Sequence, residues 1–121
     1  MKRVLIVDDH NLFRQVLAAM LEHHTDLKEI VHAGSLAEAQ QVLADLDTKV
    51  DLAIVDFDLP EEEATELIEH LRKVRIPIMA LTAGRSLERR AWALQAGAGE
   101  VLTLANSGEQ IINTAERFVG G

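Results

Sequence analysis

DLAIVDFDLP, residues 51–60, sets a buried-looking run against a charged end. Leu52, Ala53, Ile54 and Val55 form a short apolar segment with β-branched members. Such a run reads as a strand covered on both faces, as in a parallel sheet. It stops abruptly at Asp56, followed by Phe57, Asp58, Leu59 and Pro60. Open α/β sheets bind ligands at the carboxyl ends of their strands. A carboxylate held out of water there needs a function or a partner. The competing reading of Asp56 is a plain loop cap, because aspartate bonds readily to the backbone of turns.

Working outward, the same pattern recurs. Arg3 to Val7 (RVLIV) is an apolar strand that ends in Asp8 and Asp9. Asn11 can cap a helix with Leu12, Phe13, Val16, Leu17, Met20 and Leu21 on one stripe. Lys28 to His32 reads as a weaker second strand, and its polar residues predict an edge or half-exposed position. Ser35 and Glu38 form a capping-box pattern ahead of Leu36, Ala39, Leu43 and Leu46. After Pro60, a third helix carries Ala64, Leu67, Ile68 and Leu71. Ile78 to Leu81 is a fourth strand that ends at Thr82. Ser86 can cap a fourth helix, with Leu87, Ala91 and Leu94 inward and Gly97 closing it. Glu100 to Leu104 is a fifth strand. Ser107 and Gln110 make another capping box, before a last helix with Ile111, Ala115 and Phe118 facing the core. Five strand–helix units in strict alternation predict an α/β fold: a doubly wound, three-layer, five-stranded parallel sheet with helices on both faces. The expected strand order is 2-1-3-4-5, the flavodoxin-like arrangement.

Composition narrows the function. The chain has 121 residues, enough for one domain, and no cysteine, which excludes a disulfide scaffold, a thiolate metal site and a cysteine nucleophile. The net charge of −8 argues against binding nucleic acid through the whole surface. No segment approaches the roughly 20 apolar residues of a membrane span. The basic, apolar start runs at once into acids and is no signal peptide. The reading is a soluble cytoplasmic protein with no membrane partner.

In the order 2-1-3-4-5, strands 1 and 3 are neighbours. Asp8 and Asp9 then lie beside Asp56 at a topological switch point, with Thr82 ending the adjacent strand. Clustered carboxylates repel one another unless a cation intervenes. Mg2+ suits them, because it takes one or two carboxylates together with waters and phosphate oxygens. A carboxylate beside such an ion can attack a phosphoryl donor and form an aspartyl phosphate. A threonine hydroxyl can bond the product.

These residues resemble the receiver domain of two-component response regulators over essentially the whole chain. The matching segments are VDD at 7–9, Asp56 with Pro60 four residues on, LTA at 81–83 and QAGA at 95–98. The run DDHNLFRQVL is similar to the LuxR/FixJ-type subgroup, whose regulators carry a helix-turn-helix DNA-binding domain after the receiver. The expectation is a receiver domain over 1–121, ending in linker-like Gly120–Gly121, with a C-terminal output domain absent from this chain. The resemblance implies Asp56 as phosphoacceptor, Asp9 as a direct Mg2+ ligand and Asp8 as a ligand chiefly through water. It also implies the backbone carbonyl of Asp58 as a further ligand, Thr82 as the hydroxyl that follows the phosphoryl group, and Ala83 as the small residue that leaves it room. The implied cofactor is Mg2+. The implied phosphodonor is a phosphohistidine on a sensor histidine kinase or phosphotransfer protein, or a small acyl phosphate. A homodimer through helix faces is compatible with the resemblance, and DNA is reached only through an output domain. Apart from self-phosphotransfer onto Asp56, no enzymatic activity is expected.

The chain departs from that family pattern in specific places. The family's lysine at the end of strand 5 falls on Leu104, and no Lys or Arg lies between Arg90 and Arg117. The switch aromatic falls on Val101, a β-branched residue that cannot swing as a Tyr or Phe does. A missing ammonium removes fixed charge from a site that must hold a dianion. Impaired phosphorylation of Asp56 is therefore expected. Arg85, with Arg89 and Arg90, lies on the rim and is either an anion contact that partly replaces the lysine or a solvated helix face. Trp92 is either a partner surface or core packing at a helix edge. His10 adjoins the acids and is a lesser candidate for the site. Two alternatives stand beside the phosphorylated receiver. One is a phosphorylation-independent pseudo-receiver that acts as an interaction module. The other, more remote, is an Asp-nucleophile phosphatase, because Asp56-x-Asp58 resembles the haloacid-dehalogenase motif.

Overall fold

The computed structural model describes residues 2–24, 29–45, 49–57, 59–82, 87–103 and 108–120. Strands and helices alternate through the chain. They run β1 (Arg3–Val7), α1 (Asn11–His24), β2 (Glu29–Ala33), α2 (Leu36–Ala44), β3 (Leu52–Asp56), α3 (Glu61–Lys73), β4 (Ile78–Thr82), α4 (Leu87–Ala96), β5 (Glu100–Thr103) and α5 (Gly108–Gly120). The five strands form one parallel sheet in the order β2-β1-β3-β4-β5.

The sheet is buried because its side chains alternate between two apolar layers. Leu5, Val7, Ala53, Val55, Ile78 and Ala80 face one core, which α2, α3 and α4 cover with Ala39, Leu67, Leu71 and Ala93. Val4, Ile6, Leu52, Ile54, Met79 and Leu81 face the other, closed by Leu17 and Leu21 of α1 and Ile111 and Ala115 of α5. Both faces of the central strands are therefore dry, and aliphatic runs with no polar alternation are the sequence that geometry requires.

The α3 stripe of Ala64, Leu67, Ile68 and Leu71 is buried as expected. The α1 stripe is narrower than its sequence suggests. Leu17, Ala18 and Leu21 are buried, but Leu12 is 74% and Val16 50% exposed. On α4 the inward residue is Ala93, with Trp92 and Ala96 packed against the core, while Ala91 is exposed and Leu94 is 49% exposed. Small, weakly apolar side chains on α4 leave its facing to the neighbouring elements rather than to its own pattern. The second strand begins at Glu29, and Ala33 within it is buried. Lys28, Leu46 and Ser107 lie outside the described residues. Ser35 caps α2 by accepting from the Glu38 amide at 3.2 Å, and the Glu38 carboxylate reaches back to the amide of Gly34.

The end of α4 is closed by glycine. Gly97 has φ +123°, its amide reaches the carbonyls of Ala93 and Leu94, and the amide of Ala98 bonds to Ala93. A Cβ at Gly97 would fall 2.3 Å from Cδ of Arg72. The arginine stem can swing aside, but the backbone angle cannot relax without breaking the cap. Gly97→Ala is expected to lose about 1–3 kcal/mol of stability, read as a lower denaturant midpoint at an unchanged m-value.

Candidate acidic site at the carboxyl edge of the sheet

The site forms where β1 and β3 leave the sheet. The strands pair from Val4 with Leu52 to Val7 with Val55, so both chains reach the carboxyl edge side by side. Asp8 and Asp56 are buried there, and Asp9 and His10 are exposed above them. One ligand atom from each of Asp8, Asp9, His10 and Asp56 lies within 4.8 Å of all the others. Three of these donors are hard carboxylate oxygens, which suits Mg2+ better than a soft-ligand metal.

Each side chain owes its place to local backbone. The Asp8 amide donates to the Ala33 carbonyl at 3.0 Å, which ties the end of β1 to the end of β2. Oδ1 of Asp8 accepts from the His10 amide at 2.8 Å. Phe57 donates its amide to the Leu81 carbonyl at 2.8 Å and so fixes the chain just after Asp56 against β4. Thr82, the next residue on β4, is buried at the same edge. Pairing of Asp56 with Leu81 brings the carboxylate and the hydroxyl to adjacent positions of neighbouring strands.

His10 enters more closely than its sequence position suggests. Its Nδ1 lies 3.1 Å from Oδ1 of Asp8 and 3.1 Å from Oδ1 of Asp9. The hydrogen bond to Asp8, then the charges of Asp9 and Asp8, raise the ring pKa above its ordinary value of 6.5. A raised folded value means the charged ring supports the fold fully below the ordinary value, and that support is lost as pH rises through the raised one. In the metal-free protein an NMR titration of His10 should show a midpoint above 6.5 that falls back toward it in Asp8→Asn.

The other predicted positions divide in two. Val101 is described: it pairs with Ala80 and is buried in the core beneath α4. Asp58, Ala83, Arg85 and Leu104 lie outside the described residues, as do the side chains of Arg89 and Arg90. Of the lysines, Lys2 precedes β1, Lys49 precedes β3 and Lys73 ends α3, all toward the amino end of the strands and away from the acids; Lys28 is outside the described residues. Trp92 is half-buried, with its ring centroid 5.0 Å from that of Phe57 at an interplanar angle of 58°. It therefore packs on the core beside the residue that follows Asp56. Arg14 is the functional neighbour that pattern reading missed. Its guanidinium donates to the carbonyl of Asp8. Its one sequence signal was the Asn11–Arg14 spacing on the first turn of a helix. No helix among the described residues is long and apolar enough to cross a membrane.

Comparison with known proteins agrees with this architecture. The response regulator receiver domain family matches residues 4–116. The sensory transduction protein LytT of Bacillus subtilis is 31% identical over 98% of this chain and 48% of its own length. The phosphate regulon transcriptional regulatory protein PhoB of Pseudomonas aeruginosa is 31% identical over 92% and 48%. The transcriptional regulatory protein PhoP of Escherichia coli is 33% identical over 84% and 44%. The chain thus spans about half the length of the curated relatives it matches. Among solved structures, a CheY-like receiver domain protein of Methanospirillum hungatei superposes with TM-score 0.84 at 26% identity, over 99% of this chain and 94% of that one. A response regulator receiver protein of Burkholderia phymatum superposes with TM-score 0.88 at 24% identity, over 99% of this chain and 96% of that one, and supports the fold alone. With its strand order, its acidic edge and a family match over nearly all its length, the chain belongs to the response regulator receiver domains of two-component signalling.

Proposed function

We propose that the chain accepts a phosphoryl group on Asp56 and does so poorly. The observation that carries this reading is the convergence of Asp8, Asp9 and Asp56 at the carboxyl edge of a receiver-family sheet. Asp8, Asp9, Asp56 and the carbonyl of Asp58 would hold Mg2+, which when bound neutralises charge on the oxygens in transfer. A carboxylate oxygen of Asp56 forms the new bond to phosphorus. The bond from phosphorus to the donor's histidine nitrogen or acyl oxygen breaks, and the donor leaves with that electron pair. Thr82 bonds the transferred group, beside small Ala83.

Two positions limit the reaction. Leu104 stands where the family carries a lysine, so an ammonium is missing from a site that must stabilise added negative charge. Val101 is β-branched and buried in the core, so no aromatic rotamer is present there to answer the threonine. These two residues also favour a second reading, a pseudo-receiver that binds its partner without phosphate. The proposed partners are a sensor histidine kinase or phosphotransfer protein in the cytoplasm, a second copy of the chain, and DNA through an output domain beyond this sequence. The LuxR/FixJ subgroup rests on DDHNLFRQVL alone, since the relatives above carry LytT, PhoB and PhoP names.

Incubation with acetyl phosphate and Mg2+, followed by intact mass measurement, tests the proposal. A partial or short-lived phosphate adduct supports it. A complete, long-lived adduct would refute the impairment, and no adduct at all would favour the pseudo-receiver.

A further inference from the structure

We propose that Arg14 is a positioning residue for the acidic pocket, holding the segment that carries Asp8, Asp9 and His10 in its ligand-ready shape. The proposal rests on the reading of that pocket as a divalent-cation site.

Arg14 sits at the start of α1, where its amide makes a 3.0 Å bond to the His10 carbonyl. Its Nη1 donates to the backbone carbonyl of Asp8, and its Nη2 donates to Oδ1 of Asn11 at 2.9 Å. One planar group therefore ties the exit of β1 to the entry of α1, across the turn that carries two of the three carboxylates. The rigid fork of a guanidinium can make both bonds at once, whereas an ammonium is a single point.

The choice of acceptor is informative. An arginine beside three carboxylates would be expected to pair with one of them. Among the described residues Arg14 makes no ion pair with Asp8 or Asp9, and it takes a carbonyl instead. The guanidinium of Arg14 thus does not occupy the carboxylate oxygens of Asp8 or Asp9. The Nε of Arg14 is buried and has no hydrogen-bond partner among the described residues. A buried donor left unmade is unfavourable, so the side chain is placed by what Nη1 and Nη2 reach. Gly34 makes room for this. A Cβ there would fall 2.8 Å from Nη1 of Arg14 and 3.3 Å from Oε2 of Glu38. A side chain at 34 would have to displace the guanidinium.

The clamp and the bare charge of Arg14 predict opposite outcomes. A positive charge near the pocket opposes a divalent cation, so its removal by itself would tighten binding. Loss of a partner that orients metal ligands weakens binding, typically by 10- to 100-fold. The test is calorimetric titration of Mg2+ into the full chain and its variants, paired with amide exchange of the metal-free proteins. Arg14→Gln is expected to weaken Mg2+ binding about 10-fold. Arg14→Lys, which keeps the charge, should weaken it as well. Gly34→Ala should weaken it and add nothing when combined with Arg14→Gln, because both remove the same contact. Binding as tight as wild type, or tighter, in Arg14→Gln would overturn the proposal. If Arg14→Gln does not fold, Arg14→Lys and Gly34→Ala decide by the same criterion.

Should the wild-type chain bind no Mg2+, the cation reading of the pocket fails, and exchange of the His10 amide decides the clamp alone. Exchange that quickens several-fold in Arg14→Gln and Arg14→Lys supports it, and unchanged exchange overturns it.

Discussion

Asp56→Asn is expected to abolish any phosphate adduct formed from acetyl phosphate, while the fold persists. The amide is nearly the same size as the carboxylate, so the buried place at the end of β3 stays filled. It lacks the nucleophilic oxygen charge that attack on phosphorus needs. The substitution also removes one of three neighbouring carboxylates, and like charges held together oppose the compact state. The metal-free variant should therefore melt no lower than wild type. An adduct that survives in Asp56→Asn would place the acceptor elsewhere. The companion substitution is Leu104→Lys, which returns the ammonium that the family pattern carries. It should speed adduct formation toward the roughly 100- to 1,000-fold that one well-placed electrostatic partner supplies. A rate that does not change would show that the missing lysine is not what limits the chemistry.

Phe57→Ala is expected to be the most damaging single change to the fold. The phenyl ring is fully buried in the core beneath α3 and α4, and Trp92 leans against it. Truncation of a buried phenylalanine costs about 3–5 kcal/mol, through lost transfer energy and the cavity left behind. That is a large part of the roughly 5–15 kcal/mol that stabilises a typical domain. Urea titration should show a much lower midpoint, with partial unfolding already visible in buffer. Phe57→Leu keeps most of the volume and should cost less than half as much. An equal loss in both variants would point to the ring contact with Trp92 rather than to the cavity.

The sheet was legible because its central strands are dry on both sides. Such strands must be continuous aliphatic runs, and RVLIV, LAIV and IMAL are short enough to be strands rather than helices. The α3 stripe was legible for a related reason: Leu67, Ile68 and Leu71 contrast sharply with the glutamates around them. The facing of α1 and α4 was not. Leu12 and Val16 extend the apolar pattern of α1 beyond the surface it buries, and alanines on α4 carry too little contrast to choose a side. At the site, the acids could be placed because each ends a strand, and strand order alone brings such ends together. Arg14 could not be placed that way. Its contact depends on the angle at which α1 folds back over the end of β1, which no sequence period encodes.

The contact between Phe57 and Trp92 has one more consequence. Trp92 is the sole indole of the chain, and its partner ring belongs to the residue directly after Asp56. The molecule therefore carries a built-in fluorophore one side chain away from its acidic edge. Its emission gives a label-free optical signal for events at that edge, free of background from any other tryptophan.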